Sequence, residues 1–381
     1  MRVLLVARAD AGLKRGGDMV LMNRYRTELA RLGCDVTVTD RALRDYQPFD
    51  IVHLFNLDSS LELAEHARRA SSGRRARPTI VLTPLYQKLE WALEYFAQGL
   101  GTNLGRPRTA AGLRYNAYMT LKETVRYLLI SRRYHHVLPL LPSLRVSTWR
   151  RKRAVLRLLD ALLVHSEAEA SAIRQDYGVG PDRTFIIPVG YDAMKPGALE
   201  SDTPDDYVLS VGRIEPVKNQ LALVAAAERL GVPLILVGQY NLRHRRYCRR
   251  VAEAVARIPG LELRHDVPRA TLAALYQGAR LHVLASWAEV WPLVSVEALS
   301  AGCWIQTTVN SYERELYGTK VEYGQPSSVD SIAEAMAASL HAASPQRARH
   351  LLAAIPTWQE VALRLRAAYE TLLNRGGRAQ N

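Results

Sequence analysis

"YVLSVGRIEPVKNQLALVAAAERLGVPLILVG", residues 207–238, decides the fold. Its ends, "YVLSVG" (207–212) and "PLILVG" (233–238), are short apolar runs closed by glycine and read as buried strands. The stretch between them reads as a helix. A strand, a crossover helix and a second strand make a parallel βαβ unit. The rhythm continues with strands at 261–266, 280–285 and 303–308. It also runs through the amino-terminal half, with strands at 2–7, 35–40, 50–55, 78–83, 161–166 and 183–190. Helices fall at 18–33, 59–73, 149–160 and 167–178. A polar stretch with two prolines, "YDAMKPGALESDTPDD" (191–206), separates the halves and reads as a linker.

The expected fold is α/β, with two doubly wound Rossmann-like domains facing each other across a cleft. The amino-terminal domain is 1–190, with a helical, basic insertion at about 84–145. The second domain is 207–356, and an amphipathic helix at 357–381 is expected to pack back across the domains.

Composition narrows the class. At 381 residues with 48% apolar and 23% charged side chains, the chain is globular and long enough for two cores. No apolar run reaches the ~18–20 residues of a membrane span, and "MRVLLVARADAG" is too short in its apolar part for a signal peptide. Cys34, Cys248 and Cys303 lie far apart, which argues against a disulfide framework or a zinc site and for a reducing cytoplasm. The net charge of +14 is concentrated. Residues 101–157 hold thirteen Arg and Lys against the single acid Glu123, a local charge of +12. Such a block fits an anionic membrane surface, a lipid phosphate or a nucleic acid. "YLLISRRYHHVLPLLPSLRV" (127–146) mixes cations with apolar anchors, as a segment lying in a lipid interface would. "WRRKR" (149–153) adds Arg150, Arg151, Lys152 and Arg153 beside a tryptophan, a candidate membrane or acceptor contact. No nucleic-acid recognition motif accompanies the charge, and a solvated helix face is the plain alternative.

Polar residues cluster where such sheets bind ligands, at the carboxyl ends of strands. Gly16 and Gly17 join the first strand to the first helix, where free N–H groups can meet an anion. A simple turn is the alternative. Arg213 and Lys218 flank the start of the helix after strand 207–212, a cation pair suited to a diphosphate if they are not two solvated charges. In "LASWAEVWPLVSVEALSAG" (284–302), Pro292 suits a helix's first turn. Glu289 then lies in the strand–helix loop, and Glu297 lies inside the helix, where it either reaches a ribose or is a surface helix carboxylate. His53 ends another strand and is either a cleft imidazole or a satisfied core histidine.

Four stretches in this order resemble the GT-B glycosyltransferases of family 4, the retaining, nucleotide-sugar-dependent bacterial type. They are "RGGDMVLMNRYRTELARLGCDVTV", "VHSEAEASAIRQDYGVGPDRTFIIPVGYD", "VGRIEPVKNQLALVAAAERL" and "EVWPLVSVEALSAG". The resemblance covers most of the chain outside about 84–145. It implies that Arg213 and Lys218 hold the donor diphosphate and that Glu297 binds the donor ribose. It further implies that Glu289 and the backbone at Val290, Trp291 and Leu293 contact the donor sugar. Gly16 and Gly17 would approach the diphosphate from the other domain, and Asp266 and Val267 would lie near the base. The donor is a substrate; the resemblance implies no cofactor and no metal.

The chain departs from the family where a histidine commonly follows the fourth strand, since Leu85 and Tyr86 stand there. The Asn-Gly before the linker is Val189-Gly190, and Pro292 replaces a frequent glycine. The expected activity is transfer of a sugar to a lipid-linked or polysaccharide acceptor in cell-surface glycan synthesis, on the cytoplasmic face of the membrane. A GT-B-fold epimerase, a basic nucleic-acid-binding protein and a non-catalytic scaffold are the rivals. The fold alone does not separate them.

Overall fold

In the computed structural model, residues 1–9, 16–72, 77–100, 119, 121, 147–193 and 206–378 are described. The chain divides into two compact units, Met1–Gly190 with Trp358–Asn381, and Tyr191–Thr357. Most of the basic insertion, 101–118, 120 and 122–146, lies outside the described residues, as does linker segment 194–205.

The first unit runs β1 (Arg2–Val6), α1 (Gly17–Arg31), β2 (Asp35–Thr39), β3 (Ile51–Phe55), α2 (Ser60–Ser71) and β4 (Thr79–Thr83). It continues with α3 (Leu89–Leu100), α4 (Thr148–Leu158), β5 (Ala161–Val164), α5 (Glu167–Tyr177) and β6 (Thr184–Ile186). The six strands form one sheet in the order β2-β1-β3-β4-β5-β6, and every pairing is parallel. Strands covered by helices on both faces must be apolar throughout. β3 accordingly is buried at all five positions, whereas the edge strand β2 is partly open. α5 begins where Ser166 accepts a hydrogen bond from the Glu169 amide, and it ends at Gly178 in the left-handed conformation.

The C-terminal helix Trp358–Arg378 belongs to this unit and packs on α1 and β4. Val361, Leu365, Ala368 and Leu372 form its buried stripe, and the Arg366 guanidinium donates to the Leu32 carbonyl at 2.9 Å.

The second unit runs β7 (Val208–Val211), α6 (Gln220–Leu230), β8 (Leu234–Val237), α7 (Arg245–Arg257), β9 (Leu261–Arg264), α8 (Arg269–Gly278) and β10 (Leu281–Val283). It ends with α9 (Leu293–Ser300), β11 (Trp304–Thr308), α10 (Arg314–Tyr317), β12 (Tyr323–Gly324), α11 (Val329–Ala342) and α12 (Pro345–Leu352). Its sheet is also parallel, in the order β12-β11-β10-β7-β8-β9. From β7 the chain adds β8 and β9 on one side, then crosses to add β10, β11 and β12 on the other. The reversal leaves a crevice between β7 and β10 at their carboxyl ends, where doubly wound sheets bind ligands.

Two observations mark the carboxyl ends as the working ends. Among the described residues, five non-glycines have positive φ; Asn56, Leu85 and Asp266 stand within two residues of a strand's end, and Asn219 lies in the β7–α6 connection. Such strain persists only where surrounding structure holds it, and it concentrates at functional sites. Gly238, at the end of β8, is the second sign. A Cβ there would lie 1.9 Å from the Gly212 carbonyl oxygen, so only glycine lets the β7 and β8 ends approach this closely.

No helix among the described residues is long and apolar enough to cross a membrane.

Candidate functional site

The β7–α6 connection places two cations. Arg213 follows Gly212, and a 3-10 turn at Pro216–Lys218 delivers Lys218 just before α6. Asn219 then turns the chain with φ 58°, a conformation asparagine tolerates better than most residues. Its side-chain amide donates to the carbonyls of Ala285 (3.1 Å) and Pro326 (2.8 Å), tying this turn to two other loops.

The β10–α9 connection places the first carboxylate. The Trp287 amide donates to the Val217 carbonyl at 2.8 Å, which draws the loop after β10 onto the turn that carries Lys218. The Glu289 amide donates to Asn310 O at 2.9 Å, and the Asn310 side-chain amide donates back to Trp287 O at 3.0 Å. Held from both sides, the Glu289 carboxylate meets Lys218, with Nζ 2.5 Å from Oε1. The pair is mostly shielded, the side chains being 23% and 9% exposed. It bridges the end of β7 and the end of β10, the two strands that flank the crevice.

Arg213 lies beside this pair in sequence and has its own anchor, Glu215, at 2.9 Å. Glu215 is buried and also accepts from the Asn241 side chain at 2.6 Å. The Arg213 guanidinium stays 43% exposed. A fixed, outward-facing guanidinium can clamp an anionic ligand with two parallel hydrogen bonds.

Helix α9 starts at Leu293, with Pro292 at the N-cap rather than in the first turn, and no side chain caps it. Its first amides therefore lack intrahelical partners. Val290, Trp291 and Leu293 are partly exposed in front of it. Glu297 lies four residues into the helix, half-buried, and accepts a long hydrogen bond from Tyr276 OH at 3.4 Å. Asp266 is exposed at the end of β9 in the left-handed conformation and accepts from the Gln239 side chain; Val267 packs on the core.

Sequence reasoning missed two buried groups beneath the site. His282 on β10 accepts from the Val211 amide at 3.4 Å. Burial, and then the Lys218 charge, push its pKa down to about 3, so it is neutral. Glu313 is fully buried below the Glu289 loop and accepts from Thr307 Oγ1 (2.8 Å) and Ser311 Oγ (3.3 Å). Burial, with the Glu289 charge adding to it, pushes the Glu313 carboxyl up to about 8. Its backbone neighbour Ser311 pairs with Glu289 across a parallel bridge. Asn219 had a signal in the sequence, an asparagine between a turn and a helix. Glu313 had none, because nothing local distinguishes it from a surface glutamate.

In the first unit the sequence-singled residues fare differently. Gly16 is the N-cap of α1 and Gly17 its first residue. The helix start is not left open, since Asp18 accepts from the Met19 amide at 3.0 Å and is paired with Arg8. An anion there would meet the Asp18 carboxylate as well as the amides. His53 is wholly buried, bonded through Nδ1 to Tyr369 OH (2.7 Å) and through Nε2 to Thr83 Oγ1 (2.8 Å), and stacked on Phe55. Burial pushes its pKa down to about 3. It is a neutral core histidine and not an open imidazole.

The basic run 149–153 needs correction as a continuous exposed patch. α4 turns Arg151 and Lys152 inward, to 5% and 7% exposure, because they sit on the helix face that also buries Val155 and Leu156. Lys152 pairs with Asp58 at 2.5 Å. Arg150 and Arg153 remain exposed.

Residues 194–351 match the family model described as "Glycosyl transferases group 1". Among curated proteins, the D-inositol 3-phosphate glycosyltransferase of Segniliparus rotundus is 28% identical over 159 residues, 38% of this chain and 35% of that one. The protein of the same name from Mycolicibacterium paratuberculosis is 29% identical over 156 residues, with the same coverage. The matched region thus spans about a third of these relatives. Among solved structures, sucrose-phosphate synthase from Thermosynechococcus elongatus superposes with a TM-score of 0.71 at 15% identity, covering 98% of this chain and 100% of that one. Anabaena Alr3699/HepE in complex with UDP gives 0.66 at 14%, covering 97% and 100%. The family match falls on the unit that carries Arg213, Lys218, Glu289 and Glu297, and the fold is the two-domain fold of the GT-B glycosyltransferases.

Proposed function

We propose that this chain is a glycosyltransferase that binds a nucleotide-sugar donor in its second unit. The observation that carries this reading is the Lys218–Glu289 pair at the β7/β10 crevice, with the anchored guanidinium of Arg213 on the same connection. In the proposed complex, Arg213 and Lys218 hold the donor diphosphate, Glu297 the ribose, and Asp266 and Val267 border the base. Glu289 and the backbone at Val290, Trp291 and Leu293 hold the sugar. Gly16 and Gly17 of the first unit remain part of the proposal, with the Met19 amide beside them already bonded to Asp18.

The reaction breaks the bond from the anomeric carbon to the diphosphate oxygen and forms one to an acceptor oxygen. We place the attack on the departing face, with retention; the acceptor proton passes to an oxygen of the leaving diphosphate. The negative charge that develops there is stabilised by the two cations, so no metal enters the scheme. Holding donor and acceptor in register supplies the rest.

The acceptor is proposed to be lipid-linked or a growing polysaccharide, for cell-surface glycan synthesis at the inner face of the membrane. The +12 charge of residues 101–157 supports this part, and Arg150, Arg153 and Arg157 are its exposed members among the described residues.

A thermal-shift panel of UDP, GDP, ADP and their sugars tests the donor reading. UDP comes first because it is bound in the Anabaena structure. A ligand at ~100 times its Kd stabilises by ~2.7 kcal/mol, which a melting curve resolves. No shift with any nucleotide at millimolar concentration would overturn the proposal.

A further inference from the structure

Glu313 lies beneath the loop that carries Glu289, and nothing in the transfer scheme uses it. Its side chain is wholly buried. Three parts of the second unit meet at its carboxyl. Thr307, on β11, donates to Oε2 at 2.8 Å. Ser311 donates to the same oxygen at 3.3 Å and accepts from the Glu313 amide at 3.2 Å. Ser311 is also the residue that bridges to Glu289, whose amide is held by the neighbouring Asn310 carbonyl. Ser295, in the first turn of α9, acts on the carboxyl as well.

The contacts on the other oxygen are unfinished. Oε1, Ser295 Oγ and the Tyr317 hydroxyl are buried and short of a formed hydrogen bond, although both hydroxyls act on this carboxyl. Buried polar groups left so are costly, and they call for an explanation beyond packing. Bracing alone does not need a carboxyl here, since apolar side chains of the same shape would hold the loop as well.

The surrounding charges sharpen the point. Around Glu313 stand Glu289 from the β10–α9 loop, paired with Lys218, then Tyr317 from α10, and Tyr323 from β12 with Arg314 over its ring. Burial raises both tyrosines, which stay protonated. Burial, and then the Glu289 charge, raise Glu313 to about 8. At neutral pH it is therefore an uncharged acid. Oε2 already accepts two hydrogen bonds, so the proton belongs on Oε1, with the Ser295 and Tyr317 hydroxyls as its acceptors. Ionisation would remove that donor and set a second negative charge under Glu289.

We propose that Glu313 is the positioning residue for the sugar end of the donor site, its one carboxyl joining Ser311, behind Glu289, to Ser295, in the first turn of α9. It fixes the Glu289 carboxylate relative to the first amides of that helix. That a sugar is what they position rests on the transferase reading; the joint between the Glu289 loop and α9 does not.

The test compares ligands with and without the sugar on the full chain, by calorimetry from about pH 6 to about pH 9.5. The probes are UDP against UDP-glucose, GDP against GDP-mannose and ADP against ADP-glucose. In wild type the sugar nucleotide should lose affinity relative to its nucleotide above about pH 8, approaching about ten-fold per pH unit for one proton. Glu313→Gln has an amide that donates and an oxygen that accepts, so its preference for the sugar nucleotide should stay flat across the range. Glu313→Ala should lose about ten-fold of that preference at every pH, the loss of one hydrogen-bonded joint. A carboxyl that only braces the fold would instead lower the melting temperature and weaken both ligands alike. Where Glu313→Ala does not fold, the pH profiles of wild type and Glu313→Gln decide alone. The proposal is overturned by equal losses for both ligands, by a wild-type preference that stays flat, or by a Glu313→Gln profile that follows wild type. If none of the six probes binds, the donor reading falls and the joint is read without ligand. The coupling between Lys218 and Glu289, from double-mutant cycles in urea, should then fall by half or more between pH 7 and pH 9 in wild type and hold constant in Glu313→Gln. A coupling that does not change with pH would sink the inference.

Discussion

Lys218 Nζ lies 2.5 Å from Glu289 Oε1, although the two residues are 71 positions apart in sequence. The sheet closes that gap, since β7 and β10 are adjacent strands and each residue sits in the connection leaving one of them. The pair holds two opposite charges at the crevice. In the proposed complex a diphosphate would compete with Glu289 for the ammonium, so donor binding would depend on the position of the carboxylate.

The pair should behave as a unit. Lys218→Ala leaves a carboxylate that is 9% exposed without its counter-ion, whereas Glu289→Gln leaves the more open lysine to water. We expect Lys218→Ala to cost more stability, about 1–3 kcal/mol in urea unfolding. The double variant should differ from the sum of the singles by about 1 kcal/mol. In turnover, Lys218→Ala and Arg213→Ala should each lose on the order of 2–4 kcal/mol of transition-state stabilisation, as when an electrostatic donor to a developing anion is removed. Strict additivity in the unfolding cycle would mean that the two charges do not interact in solution.

Glu289 and Glu297 share one short segment but should report differently. Glu297 accepts from Tyr276 OH at 3.4 Å, and the ribose contact proposed for it would be made in the ground state. Glu297→Gln should weaken nucleotide binding and leave the turnover of the saturated enzyme nearly unchanged. Glu289→Gln should do the opposite, because the sugar changes shape and charge as its bond breaks. Nucleotide affinity by calorimetry and kcat by product assay separate the two; the reverse pattern would exchange their roles.

The central strands were legible because parallel strands covered on both faces must be apolar, whereas the edge strands β2, β6 and β9 are partly open and mix apolar with polar residues. Only β12, two residues long at Tyr323–Gly324, escaped. The cations and carboxylates of the second unit were legible for a related reason, since strand ends are easily found and polar residues stand out beside them. Which side of α4 faces inward was not. Arg151 and Lys152 read as surface charges until Asp58, 94 residues from Lys152, supplies a partner. Glu313 was invisible for the same reason, as its burial is created by Thr307 and Ser311 from one side and by the Glu289 loop from the other. Long-range pairing of this kind leaves no periodicity to read.

The close approach of the β7 and β8 ends makes Gly238 a sharp test of how the Arg213 loop is held. In Gly238→Ala the new Cβ would fall 1.9 Å from the Gly212 carbonyl oxygen, a backbone atom with no rotamer to escape into. The connection from Gly212 to Lys218 must shift, and a shift of that size should cost about 1–3 kcal/mol, the range for overpacking a filled space. Nucleotide affinity should fall together with stability. Wild-type melting and affinity in Gly238→Ala would show that the two strand ends can part freely.

Glu313 links the site to pH. Its carboxyl is raised to about 8, first by burial and further by the Glu289 charge, while in the unfolded chain it titrates near 4.5. Below about pH 4.5 it is protonated in both states and contributes no pH dependence. Between 4.5 and 8 the unfolded chain has released a proton that the folded chain still holds. Stability therefore falls as pH rises through this window, with a limiting slope of about 1.4 kcal/mol per pH unit for one proton. Above about 8 both states are ionised and the loss stays constant. Glu313→Gln keeps an acceptor for Thr307 and Ser311 but has no proton to lose. Its stability, relative to wild type, should rise steadily from pH 5 to pH 8 and then level off. Glu169, raised to about 7 by burial, contributes a similar slope, but it is present in both proteins and cancels in the difference. Glu289→Gln should narrow the window from its upper end, because it removes the charge that holds the Glu313 proton in place. Urea unfolding of the three proteins at several pH values reads all of this directly. Parallel curves for wild type and Glu313→Gln would show that the buried carboxyl ionises as a surface one does, with a solvated path to it beneath the Glu289 loop.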